Sequence, residues 1–115
     1  MRYYILNIDH SIQETNQGYY YKNCLGINVE VHRFALTRIN ACDGPIYIST
    51  VFLGVDHSGR EEGPPLIFET IIMQREFSES IIRYETWDDA LKGHTQCVYE
   101  IANPKNEQKL LEHVH

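Results

Sequence analysis

Cysteine is sparse and unpaired: Cys24, Cys42 and Cys97 are widely spaced, and no CxxC or other metal-type pairing occurs. That spacing argues against a disulfide framework and for free thiols in a reducing compartment. Long apolar runs are missing too, and no stretch approaches the roughly 18 residues of a membrane span. The segment from Met1 to Asp9 reaches an acid after one short apolar stretch, which lacks the form of a secretory signal. A soluble, cytoplasmic protein with no membrane partner is expected. Basic charge is in deficit, with 10 Lys+Arg against 16 Asp+Glu and a formal net charge of −6, so the mean field repels nucleic-acid backbones and double-stranded nucleic acid is not an expected partner. The acids are too dispersed to imitate a phosphate ladder, the densest groups being Glu61-Glu62 and Asp88-Asp89. There is no GxxxxGK[ST] loop and no GxSxG elbow, which removes the P-loop and serine-hydrolase readings.

What is present suits one globular unit. With 115 residues, 43% of them hydrophobic and 23% charged, the chain has the size and apolar content of a single domain. It divides into a variable N-terminal segment (1–26), a core (27–103) and a tail (104–115). Ile46 to Val55 carries the strongest strand signal, and Leu66 to Met73 resembles it across the loop 56–65; the two should pair as an antiparallel hairpin. Residues 3–8 predict a further strand and 27–39 one or two. Another is expected at Ser80–Tyr84 after a polar bend at 75–79. Thr86 is placed to cap a helix, with Asp88 and Asp89 in its first turn. The spacing of Trp87, Ala90, Leu91, His94, Val98 and Ile101 then draws an apolar stripe up to Asn103-Pro104. The fold class expected is therefore α+β: an antiparallel meander sheet of about four strands packed against one main C-terminal helix.

The two strongest strands are apolar on both faces, whereas one helix covers one face. The other face calls for the Tyr-rich N-terminal segment, where Tyr19, Tyr20 and Tyr21 are adjacent and at least one should enter the core, or for a second copy of the chain; a homodimer is expected. Asp56 and His57 with Glu69 and His94 have the donor types of a divalent metal site, but without diagnostic spacing. On the apolar helix face His94 is more simply a core histidine bonded to a carboxylate such as Glu69. No metal and no cofactor is therefore assigned. The arginines at 33, 38, 60, 75 and 83 flank or lie within the expected sheet and suit solvated strand edges, with a small anion as the alternative ligand.

Three blocks occur in order: Ser49 to His57 (STVFLGVDH), Gly63 to Thr70 (GPPLIFET), and Arg83 to His94 (RYETWDDALKGH). Together they resemble a family of small uncharacterised bacteriophage and prophage proteins over about Arg33 to Val98. The resemblance implies a phage accessory protein in the host cytoplasm, non-enzymatic, binding a host protein or a small nucleotide-like ligand, with counter-defence as the context. It singles out Asp56, His57, Glu69, Thr70, Arg83, Tyr84, Trp87 and His94 as ligand-binding candidates. The alternatives are a small metal-dependent hydrolase using His57, Glu69 and His94, and a phage structural or assembly protein.

Overall fold

The computed structural model describes residues 1–20 and 33–103. Tyr21, Cys24, the 27–32 part of the expected strand region and the tail 104–115 lie outside the described residues. A two-stranded hairpin, a short helix, a four-stranded sheet and one long helix make up the described residues. Strands β1 (Tyr3–Leu6) and β2 (Ile12–Thr15) pair antiparallel, and a short helix α1 (Gln17–Tyr20) follows. Strands β3 (Arg33–Ile39), β4 (Ile46–Phe52), β5 (Phe68–Gln74) and β6 (Phe77–Tyr84) then form an antiparallel sheet in sequence order, and helix α2 (Trp87–Ala102) follows. The architecture is the expected α+β meander under one main helix.

Helix α2 starts where its capping chemistry dictates: the Thr86 hydroxyl accepts from the Asp89 N–H, and Asp88 and Asp89 fill the first turn, where carboxylates oppose the positive end of the helix dipole. Its buried positions are Ala90, His94, Cys97 and Ile101. Cys97 replaces Leu91 in the expected stripe, since Leu91 is 39% exposed.

One end of the helix-facing core joins Phe52, Ile67, Phe68, Tyr84 and Ala90 with Tyr4; the other joins Ile46, Ile48, Ile72, Cys97 and Ile101. The N-terminal hairpin roofs the first cluster with Tyr4, Leu6 and Ile12. It is fastened by Tyr4 N–H to Gly54 O (2.7 Å) and Asp56 N–H to Arg2 O (2.9 Å). Of the tyrosines, Tyr20 is buried and donates its hydroxyl to Leu53 O (3.0 Å), while Tyr19 is exposed. Gly54, at φ +77°, lets the Tyr20 ring approach, because a Cβ there would lie 2.6 Å from Tyr20 Cε2.

Two boundaries differ from expectation. The bend expected over 75–79 is a two-residue turn, with Gln74 opposite Phe77 and Arg75 in the left-handed region at φ +56°, so β6 begins at Phe77. As an edge strand β6 accommodates Ser78 and Glu79, whose polarity had suggested a bend. Strand β3 carries a bulge between Arg33 and Ala35, which turns Arg33 toward the face away from α2, the face of Leu36 and Arg38.

Candidate functional site

Strand alternation sorts the candidate residues onto two faces. Across the sheet Ala35, Thr50 and Thr70 are in register, as are Phe52, Phe68 and Tyr84, and these look toward α2. Glu69, one residue from Thr70, looks away. The expected Glu69–His94 pair is therefore not formed. Glu69 instead accepts from Arg83 Nε at 2.9 Å, its register partner on the far face.

His94 is buried among hydroxyls. Its Nε2 lies 2.9 Å from Thr37 Oγ1 and its Nδ1 lies 2.7 Å from Thr50 Oγ1. Thr50 Oγ1 is 2.7 Å from Thr70 Oγ1, which is 2.9 Å from the Tyr84 hydroxyl. A continuous chain of five side chains thus crosses all four strands beneath the helix. A neutral imidazole with one donor and one acceptor nitrogen fits it, and burial holds His94 below its ordinary pKa. Burial likewise raises the Tyr84 phenol, against the lowering effect of its Thr70 contact. Among the described residues no buried side-chain nitrogen or oxygen lacks a partner. Glycine at 93 makes this packing feasible, since a Cβ there would collide with the Tyr84 ring and hydroxyl.

Asp56 forms a second buried node. Its Oδ2 accepts from Arg2 Nη2 (2.6 Å) and Nε (2.9 Å) and from Ser58 Oγ (2.9 Å), and its Oδ1 from the N–H groups of Ser58 (2.8 Å) and Leu66 (3.0 Å). Burial acts to raise this carboxyl, but the donated hydrogen bonds outweigh it and hold Asp56 well below the usual carboxylate range. The node anchors the segment before β1 to the long loop, and His57 beside it is exposed.

Trp87 is half-buried at the head of α2, where its ring is 3.9 Å from the Phe34 ring and stacks on His10 at 3.9 Å. Asp9, Ser11, Ile12, Thr86 and Asp88 line a cavity of about 330 Å³ with the His10 and Trp87 rings. The indole thus packs against both Phe34 and His10.

Of the eight candidates, Thr70, Tyr84 and His94 meet in the buried chain, Glu69 and Arg83 meet on the far face, and Asp56, His57 and Trp87 belong to neither group. The His57–Glu69–His94 metal set is not assembled, and among the described residues no three His, Cys, Asp or Glu side chains gather as metal ligands.

Sequence reasoning missed the far face as a composed surface. One row across it runs Arg33, Val51, Glu69 and Arg83; the next begins Leu36, Ser49, Ile71; a third begins Arg38, Tyr47, Met73. Arg38 is exposed, Leu36 is 50% exposed, and Tyr47, Ile71 and Met73 are half-buried. Arg33 donates Nε to Ser49 Oγ at 2.8 Å, and the Arg38 guanidinium carbon sits 5.9 Å from the centre of the Tyr47 ring, within cation–π range. The available signal was polar residues alternating with apolar ones in β3, hidden by the bulge. Among the described residues no helix is long and apolar enough to cross a membrane. No known protein family matches the chain, and neither a curated protein nor a solved structure matches it.

Proposed function

We propose that the chain is a non-enzymatic binding protein of the phage-accessory kind, engaging a host factor or a small anionic ligand in the bacterial cytoplasm. One contrast supports this function. Of the groups with catalytic potential, His94 is committed between two threonines, Glu69 to Arg83 and Asp56 to Arg2, which leaves His57 exposed, whereas Arg33 and Arg38 have no carboxylate partner among the described residues.

The test is calorimetric titration of the full chain with a panel of nucleoside mono-, di- and triphosphates, followed by ion-exchange analysis of each ligand after overnight incubation. Saturable binding with the ligand recovered intact is expected. Conversion of ligand in molar excess over protein would overturn the non-enzymatic assignment, and heat-silent titrations throughout would overturn the anionic ligand.

A further inference from the structure

We infer that the sheet face turned away from α2 is the ligand site, and that its ligand is a phosphate-bearing molecule of nucleotide size with a planar apolar body. This inference rests on the binding function proposed above and names its site and ligand class.

Three observations converge. The first is charge: Arg33, Arg38 and Arg83 against Glu69 leave +2 on this face, so in a chain of net −6 the remainder carries −8. The basic charge frames an apolar centre of Leu36, Tyr47, Ile71 and Met73, the first exposed and the others half-buried, while Ser49 and Val51 are buried.

The second is preorganisation. Arg33 is held through Nε by Ser49, Arg83 through Nε by Glu69, and Arg38 lies over the Tyr47 ring. Each anchor leaves terminal N–H groups free to donate, and no hydrogen bond occupies the Nη atoms of these three arginines among the described residues. Planar, pre-held guanidinium forks suit phosphate oxygens, which they meet two at a time.

The third is size. Four strands about 4.8 Å apart and five residues of about 3.4 Å each give a patch roughly 14 Å on a side. A mononucleotide or dinucleotide is contained within it. A longer polyanion would run past the patch into the negative remainder, within a screening length of about 8–10 Å. A second copy of the chain is disfavoured by the same charges, because a two-fold pairing of this face would set its unpaired arginines against those of the partner.

The experiment uses the isotope-labelled full chain and follows backbone amide NMR signals during titration with adenosine 5′-monophosphate, inorganic phosphate and adenosine separately, each up to about 5 mM, so that even a millimolar Kd registers. The monophosphate should shift Leu36, Arg38, Ser49, Tyr47 and Ile71 most, phosphate should act on the arginines with lower affinity, and adenosine should have little effect. Arg38→Glu, at an exposed position that leaves the fold intact, should weaken the monophosphate by about tenfold or more. Arg38→Lys should recover only part of that loss, because the charge returns without the fork.

Binding that shifts other amides, or that survives Arg38→Glu and Arg33→Gln together, overturns the site while leaving a binding protein. Absence of any shift on this face overturns the site and ligand class together. Concentration-dependent broadening of these amides without ligand identifies a second copy as the occupant and likewise overturns the inference. Hydrolysis of the monophosphate overturns the non-enzymatic function and leaves the location standing.

Discussion

Replacing Thr50 with valine removes one hydroxyl and almost no volume, so its cost measures the buried hydrogen-bond chain. Thr50 Oγ1 contacts Thr70 Oγ1 and His94 Nδ1, each at 2.7 Å, and Thr50 has 0% exposure. Two buried hydrogen bonds contribute about 1 kcal/mol each, and the imidazole nitrogen left without a partner adds a penalty of similar size. The gain from burying a methyl group offsets part of this, for a net cost of about 2 kcal/mol. In a domain of this size that lowers Tm by about 10 °C. Thr70→Val should cost a comparable amount, since it breaks contacts with both Thr50 and Tyr84. The double variant should cost about 1 kcal/mol less than the sum, because removing both partners leaves fewer orphaned groups. The assay is urea unfolding followed by circular dichroism at pH 7.5, with the m-value checked for two-state behaviour. A Thr50→Val cost below about 0.5 kcal/mol with additive singles would refute the claim that the chain is a coupled, desolvated network.

Acidification should destabilise the protein before its carboxylates protonate. Burial lowers the His94 pKa in the folded state, so the unfolded chain takes up that proton first; the contribution is complete above pH about 6.5 and is lost as pH falls toward the depressed folded value, with a slope of at most about 1.4 kcal/mol per pH unit. Asp56, held low, loses its contribution only at still lower pH, so His94→Gln should flatten the profile as pH falls below about 6.5, and an unchanged slope there would show that another group is responsible. Gly93→Ala should destabilise by about 1–3 kcal/mol despite alanine's better helix propensity, because the new methyl group meets the Tyr84 ring; Tyr84→Leu in the same chain should relieve part of that loss in thermal unfolding. In a Cys24→Ser background Ellman's reagent should modify Cys42 at once and Cys97 only after denaturant is added, since Cys42 is exposed and burial pushes the Cys97 thiol up to about 11; rapid native labelling of both would contradict the burial.

Local signals carried the parts of the fold that local signals can specify. The threonine cap, the two first-turn aspartates and the apolar spacing located α2, and the β-branched runs located β4 and β5. The N-terminal hairpin was less legible because β1 is fastened to residues 54–56 by contacts no local window contains. The pairing of His94 was missed through a single step of alternation: Glu69 is the chemically obvious partner, yet Thr70 is the residue whose side chain faces the helix. Thr50 and Thr70, hydroxyls at core-facing positions of otherwise apolar strands, were the available clue. The bulge in β3 hid the grouping of Arg33 with Arg38, since strict alternation places them on opposite faces.

The roofing of the core by the N-terminal hairpin also bears on biosynthesis. Tyr4 packs in a cluster with Phe52, Ile67, Phe68, Tyr84 and Ala90, so β1 buries its aromatic surface among residues that are translated well after it. At about 5–20 residues per second that wait is several seconds. During it β1 and β2 are an orphaned ribbon that lacks its docking strand, and nascent-chain chaperones and proteases would find it there.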